Sequence, residues 1–207
     1  MKEQGPGPPF PGAAFDVVVL AASAGGLNAL TVVVGGLPAS FPAALLAVQH
    51  LAPHHRSLMA DILSRRTALH VQQAETGETV RPGVLYLAPP DRHLLVNPGL
   101  RLMLTETELV HFVRPSADLL FESAAACCRT RALAVVLSGT GSDGNMGVEA
   151  IKKMGGTVIV EDPASAEFGG MPGAAVGTGC ADWVLPLSAI GAALSHLVAV
   201  PAAGDER

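Results

Sequence analysis

The sequence predicts an α/β fold: a doubly wound, mostly parallel sheet with helices on both faces and a small antiparallel hairpin addition. Two observations lead to this prediction. Short apolar runs rich in valine, alanine and leucine alternate with stretches in which apolar residues recur at helical spacing. Glycine-rich turns separate the two kinds of segment, and strands that are apolar throughout are typical of parallel sheets buried on both faces.

The composition indicates one folded domain. The chain has 207 residues, of which 49% are hydrophobic and 15% charged, and this is enough to bury a sizeable core. We expect a disordered, Pro- and Gly-rich leader over residues 1–14, the domain over residues 15–199 and a flexible tail over residues 200–207.

The charge pattern argues against two classes of partner. The net charge is −5, and no basic stripe runs along any segment, so we expect no nucleic-acid binding. The stretch between Asp16 and Arg56 lacks charged residues, but glycine, proline and polar residues interrupt it. It therefore predicts a buried strand–helix–strand unit rather than membrane insertion.

The three cysteines form no disulfide framework and no paired metal spacing, which favours the reducing cytoplasm.

The first third of the chain contains two strand–helix units. A valine-rich run over residues 16–21 predicts the first strand. The Gly25-Gly26 pair then opens a helix that runs to Val34. The second strand is predicted over residues 43–48 and the second helix over residues 54–66, where leucine and isoleucine recur at helical spacing.

The middle of the chain predicts the antiparallel addition, and the α/β alternation then returns. Three short apolar runs, separated by Pro-Pro and Asn-Pro-Gly turns, have hairpin spacing: 84–87, 94–96 and 100–104. The remaining elements alternate in type: a helix capped by Ser116 that runs to residue 128, a strand at 132–137, a helix at 145–154, a strand at 157–160, a helical turn at 174–176, a strand at 183–185 and a helix at 188–198.

Three polar residues follow predicted strands at the edge where sites form in open α/β sheets. Ser23 follows the first strand, His50 the second, and Asp143 the strand that ends at residue 137. A hydroxyl, an imidazole and a carboxylate match a nucleophile, its base and the group that orients the base. The amides near Ala24 and Gly25, at the start of a helix, favour developing negative charge.

Each of these residues also has a simpler interpretation. A serine in such a turn is most often a helix cap, an aspartate before glycine is usually a turn residue, and an isolated histidine is more often a core residue. Two glycine-rich loops, at residues 22–26 and 138–144, could bind phosphate, but neither matches a known phosphate-loop pattern. His50, His54 and His55 hint at a metal, yet Pro53 interrupts the helix that would align them, so we expect none.

Seven segments together resemble one family, the bacterial chemotaxis protein-glutamate methylesterases, in the catalytic domain of the CheB type. The resemblance extends from about residue 16 to residue 197. The matching segments, in chain order, are ASAGGLNAL, QHLAPHHRSLMADIL, APPDRHLLV, RPSADLLFESAA, LSGTGSDGNMG, EDPASAEFGGMP and DWVLPL.

The resemblance implies a serine hydrolase on a doubly wound sheet, with Ser23 as nucleophile, His50 as base and Asp143 as acid. Amides near Ala24 and in the Thr140 loop would stabilise the oxyanion. The implied substrates are glutamate methyl esters, and also some glutamines, on the cytoplasmic helices of chemoreceptors, and no cofactor is implied. The order Ser, His, Asp differs from common triads, which are defined by geometry rather than order.

The sequence departs from the family pattern in ways that bear on rate and regulation. Ala24 stands where a hydroxyl residue is frequent, Thr140 where methionine is frequent, and Gly173 where a basic residue is common. About 15 residues precede the first strand, too few for the family's receiver domain, so we expect a separate regulatory or receiver protein. Two other functions remain open: a catalytically weakened receptor- or partner-binding module, and a nucleotide-binding domain.

Overall fold

The computed structural model describes residue 10 and residues 12–50 and 57–199. The strands in this part of the chain are β1 Val17–Ala22, β2 Ala44–Gln49, β3 His70–Gln73, β4 Val84–Leu87, β5 His93–Asn97, β6 Arg101–Thr105, β7 Ala132–Val136, β8 Thr157–Glu161 and β9 Trp183–Leu185. The helices are α1 Gly26–Gly35, α2 Met59–Ser64, α3 Ala117–Cys128, α4 Asn145–Lys153, α5 Gly170–Gly177 and α6 Leu187–Val198. No helix among these described residues is long and apolar enough to cross a membrane.

A seven-stranded parallel sheet forms the centre of the domain, in the order β3-β4-β2-β1-β7-β8-β9. The chain reverses its direction of strand addition at β1, because β2 lies on one side of it and β7 on the other. The carboxyl ends of strands at such a point border a crevice, which is where ligands bind in doubly wound folds. The predicted fold class is confirmed.

Alternating side chains of the central strands pack on opposite faces of the sheet. Along β1, Val17, Val19 and Ala21 join a core with α3, α4 and the β5–β6 hairpin, whereas Val18 and Leu20 join a core with α1, α2 and α6. All six β1 residues are buried. This double burial explains why the strand is apolar at every position, since neither face meets water.

The middle of the chain differs from the prediction. Strand β4, expected in the antiparallel addition, instead pairs in parallel with β2 inside the main sheet. Strands β5 and β6 alone form the antiparallel hairpin, as a separate sheet of two strands. Strand β3, an edge strand that the sequence analysis did not identify, pairs with β4. Its sequence, HVQQ, is polar because an edge strand needs little burial, and so it lacks the apolar signal.

The boundaries of two other predicted segments also change. Ala13 is buried and pairs with Ala199, and the Ala14 amide donates to Val198 O at 2.9 Å, so these two residues, which the sequence assigns to the leader, pack against the domain. Helix α2 begins at Met59 rather than near residue 54, and residues 51–56 lie outside the described part of the chain. Apart from residue 10, the rest of the predicted leader and the predicted tail at 200–207 lie outside it as well.

Candidate active site

The parallel register brings the ends of β1, β2 and β7 to one edge of the sheet. Ser23 and His50 each follow their strand directly: the Ser23 amide donates to Ser138 O at 3.0 Å, and the His50 amide donates to Ala22 O at 3.1 Å. Asp143 lies in the loop between β7 and α4. Residues far apart in sequence thus lie at one edge of the sheet because their strands are neighbours.

His50 and Asp143 are joined directly. The imidazole Nε2 donates to Asp143 Oδ2 at 2.8 Å. In a neutral imidazole, a proton on Nε2 leaves Nδ1 as the ring's proton acceptor. This arrangement is the mirror of the commoner one, in which the carboxylate binds Nδ1 and Nε2 acts as the base.

Asp143 is held by the N-terminus of α3. Its Oδ1 accepts from Ser116 Oγ at 2.8 Å and from the Asp118 amide at 3.2 Å, and its Oδ2 also accepts from the Ala117 amide at 2.6 Å. Burial by itself raises the pKa of Asp143, but the hydrogen bonds from His50, Ala117 and Ser116 outweigh it, so the pKa lies below its ordinary value. The carboxylate is therefore charged, oriented and largely shielded from water.

The cap of α3 differs from the expected one. The Ser116 side chain does not cap its own helix. Asp143 takes that place, while the Ser116 amide donates to Nδ1 of the buried His93 at 3.1 Å, and His93 Nε2 donates to Glu108 O at 3.0 Å. His93 was not predicted from the sequence as part of this network. It occurs in the APPDRHLLV segment, but nothing local distinguishes a network histidine from a core one.

Backbone geometry shapes the turn that carries Ser23. Gly25 has φ 73°, a left-handed conformation that disfavours side chains, and it immediately precedes α1. The Gly26 amide donates to Ser23 O at 2.9 Å, and Gln49 Nε2 donates to the same oxygen at 2.7 Å. A Cβ on Gly26 would overlap Gln49 Oε1, which explains the second glycine.

Three backbone amides near Ser23 could donate hydrogen bonds to a negatively charged oxygen. Those of Ala24, Gly25 and Thr140 donate to no acceptor within the described residues. The first two lie at the N-terminus of α1, where the helix dipole favours an anion. Thr140 lies on the exposed loop after β7, next to Gly139, whose ideal Cβ position is 2.9 Å from Ser23 Cβ.

Ser138 ties these segments together, and sequence reasoning missed it. Its buried hydroxyl donates to Ala24 O at 2.8 Å and accepts from the Phe168 amide at 3.0 Å. Its own amide donates at 2.8 Å to the buried carboxylate of Glu161, whose pKa burial raises. Ser138 directly follows the apolar run of β7, so the strand-end rule that identified Ser23 would also have identified it.

A cavity of about 510 Å³ opens beside Ser23. It runs along the first turns of α1 to α2, and its lining includes Asn28, Gln49, Ile62 and Arg66. Ser23 itself lines the cavity and is only partly buried, so the serine can be approached from this side.

The structure also bears on the metal alternative. His54 and His55 lie outside the described residues. His111, Asp118 and Asp143 do offer ligand atoms within 4.8 Å of one another. Both oxygens of Asp143 already accept hydrogen bonds, however, so a cation would have to displace them, and we assign no metal to this cluster.

Comparison with known proteins places the chain in a family. The model of the family described as CheB methylesterase matches residues 18–194. The protein-glutamate methylesterase/protein-glutamine glutaminase 2 of Caulobacter vibrioides is 40% identical over 87% of this chain and 53% of the relative. Protein-glutamate methylesterase FrzG of Myxococcus xanthus is 41% identical over 96% of this chain and 58% of the relative. The chain therefore spans little more than half the length of these relatives.

The fold of a solved relative agrees with this placement. The crystal structure of the Thermotoga maritima CheB methylesterase catalytic domain matches with a TM-score of 0.86 and 37% identity, over 89% of this chain and 99% of that chain. Sequence and structure comparisons thus give the same answer over nearly the whole domain. The chain belongs to the CheB methylesterase family.

Proposed function

We propose that the protein hydrolyses methyl esters of glutamate side chains in other proteins, with Ser23 as nucleophile, His50 as base and Asp143 as acid. The observation that carries this proposal is the hydrogen-bonded His50–Asp143 pair, which lies at the same sheet edge as Ser23 in a chain of this family. An imidazole oriented by a buried carboxylate is the arrangement that activates a serine hydroxyl.

The mechanism is a two-step acyl transfer. His50 takes the Ser23 proton on Nδ1 while the hydroxyl oxygen attacks the ester carbonyl, and Asp143 stabilises the resulting imidazolium. The amides of Ala24, Gly25 and Thr140 stabilise the oxyanion. The tetrahedral intermediate collapses, methanol leaves with the proton from His50, and an acyl-enzyme remains. Water, deprotonated by His50, then releases the carboxylate and restores Ser23.

The substrates we propose are glutamate methyl esters on the cytoplasmic helices of chemoreceptors, in chemotaxis adaptation. The name of the Caulobacter relative includes a protein-glutamine glutaminase, and we extend that second activity to this chain. The same acyl-enzyme serves both, with ammonia in place of methanol. The reaction needs no cofactor, and the proposed place of action is the cytoplasm, under control of a separate regulatory or receiver protein.

The test is methanol release from methylated cytoplasmic receptor fragments by the wild type and by Ser23→Ala. Removing the nucleophile should lower the rate by roughly 10⁵-fold or more. Ser195→Ala, a serine on α6 outside the site, is the matched control and should retain the wild-type rate. Equal rates for wild type and Ser23→Ala would contradict the assignment of the nucleophile.

Covalent labelling separates esterase from binding module. A fluorophosphonate should label Ser23 of the wild type, and the label should be lost in His50→Ala because the base is gone. A folded protein that binds receptor fragments but neither releases methanol nor takes the label would support the weakened binding module instead.

A further inference from the structure

The N-termini of helices α3 and α4 are each capped by a buried carboxylate from the other helix or the loop before it. Asp143 precedes α4, yet it accepts from amides at the N-terminus of α3. Asp118 lies in the first turn of α3, yet its Oδ1 accepts from the Gly144 and Gly147 amides at the N-terminus of α4, both at 2.9 Å. Each helix thus supplies the cap of the other, and the exchange holds the loop that carries Asp143 against α3.

The second oxygen of Asp118 has no such role. Asp118 Oδ2 is buried and has no hydrogen-bond partner among the described residues. The imidazole of His111 faces it, with Nδ1 3.4 Å away on a half-exposed side chain, and this ring carries a positive charge only when it is protonated. Burial, and to a lesser degree the neighbouring Asp143, raises the pKa of Asp118. An asparagine would cap α4 as well without placing a second charge beside Asp143, so capping alone does not explain a carboxylate here.

We propose that Asp118 is a positioning residue of the catalytic site, which holds the loop of Asp143 in place and adds a second negative charge behind the Asp143–His50 pair. This inference rests on the proposed function. The added charge favours the imidazolium that forms when His50 takes the proton of Ser23. The charged and titratable groups that face Asp118 are Asp143, from the loop before α4, and His111, from the turn before α3.

The test measures the rate at which a fluorophosphonate inactivates the protein, as a function of pH, because this reports the reactivity of Ser23 without a receptor. Asp118→Asn retains an oxygen for the two amides and removes the charge. We expect an inactivation rate about 10-fold lower at neutral pH and a midpoint of the acidic limb moved to lower pH. His111→Gln removes the facing imidazole, which is positive when protonated, so it should move that midpoint to higher pH.

Asp182→Asn is the matched control. Asp182 also accepts from a backbone amide, that of Val158 at 2.8 Å, and it binds Lys152 near the other end of α4. Its loss should lower the melting temperature and leave the midpoint in place. Midpoints that stay unmoved in both Asp118→Asn and His111→Gln, with the label still on Ser23, would overturn the positioning role alone.

Two further experimental results would also be decisive. If Asp118→Asn does not fold, the exposed His111→Gln decides by itself, and an unmoved midpoint overturns the inference. A wild type that takes no label on Ser23 overturns the proposed function, and this inference with it.

Discussion

The two sides of the candidate site are built differently. The Ser23 side consists of a glycine turn, amides that have no acceptor among the described residues, and a cavity of about 510 Å³. The Asp143 side is a buried polar network in which one carboxylate accepts four hydrogen bonds, from the side chains of His50 and Ser116 and from the amides of Ala117 and Asp118.

The difference follows from what each side must do. A nucleophile has to admit a substrate, so its surroundings must be open and able to bind an oxyanion. An orienting acid touches no substrate, and it performs best when it is fixed and shielded from water, where its interaction with the imidazolium is strongest. Substitutions can alter each side separately.

Asp143→Asn should have the largest effect. An asparagine amide can donate to His50 Nε2, which would move the ring proton to Nδ1 and remove the acceptor for Ser23. We expect kcat for methanol release to fall by about 10⁴-fold, as when the acid of a triad is replaced. Asp162→Asn, which removes a carboxylate that caps Ala164, should leave kcat unchanged. A decrease of only a few fold would mean that His50 is oriented by other contacts.

Gly25→Ala should have the next largest effect, through backbone strain and crowding on the open side. The left-handed backbone costs an alanine about 1–2 kcal/mol. In addition, its Cβ would lie 2.8 Å from Ser138 Oγ and 2.9 Å from Glu167 Oε2. We expect kcat to fall by about 10²-fold as the amides move.

Gly77→Ala provides the control for that strain. Gly77 has φ 88°, and a Cβ there would meet nothing within 4 Å. This variant should lose a similar amount of thermal stability while kcat is retained. Equal losses of kcat in the two variants would show that crowding at Ser23 does not matter.

Ser138→Ala should have a moderate effect on rate. The change removes the hydroxyl that joins Ala24 O to the Phe168 amide. Both groups are only partly buried, so leaving them unpaired costs about 1 kcal/mol of stability, at the low end of the range for buried groups. Since the hydroxyl also holds the turn of Ser23, we expect kcat to fall about 10-fold with KM nearly unchanged. Steady-state kinetics checks this, and a change confined to the melting temperature would make Ser138 structural only.

Glu161→Gln should have the smallest effect, on stability against pH. Burial raises the pKa of Glu161, so its protonated form favours the folded state below the unfolded pKa, and this contribution is lost as pH rises through the folded pKa. A glutamine stays neutral and still accepts from the Ser138 amide. The variant should therefore melt at a higher temperature than wild type at neutral pH, with the difference vanishing in acid.

The stability contributed by Asp143 should depend on pH in the opposite direction. Its folded pKa is lowered, so it contributes stability above the unfolded pKa that is lost as pH falls through the folded pKa. The melting temperature of Asp143→Asn should hence fall furthest below wild type at neutral pH. Glu149 is exposed, so Glu149→Gln should leave the pH dependence of the melting temperature as in wild type. Melting curves over a pH series measure all three variants.

Sequence reasoning reached the fold class and the three candidate triad residues for one reason. Buried parallel strands are apolar at every position, and in doubly wound folds the residues that follow them lie at one edge of the sheet. It failed for β3, whose polar edge sequence lacks that signal, and for β4, whose partner was assigned from turn spacing alone. Pairing partners depend on the whole sheet, whereas strand character is local.

By itself, the sequence determined which residues could do chemistry and where glycine was required. Only the tertiary structure decided which imidazole nitrogen faces Asp143 and that Asp143, rather than Ser116, caps α3. It also decided that Asp118, from α3, caps α4. These contacts join residues separated by 25 to 93 positions, and they exist only because packed helix ends and neighbouring strands bring them together. A hydrogen bond needs its partner within about 3 Å, and local composition carries no information on such distances.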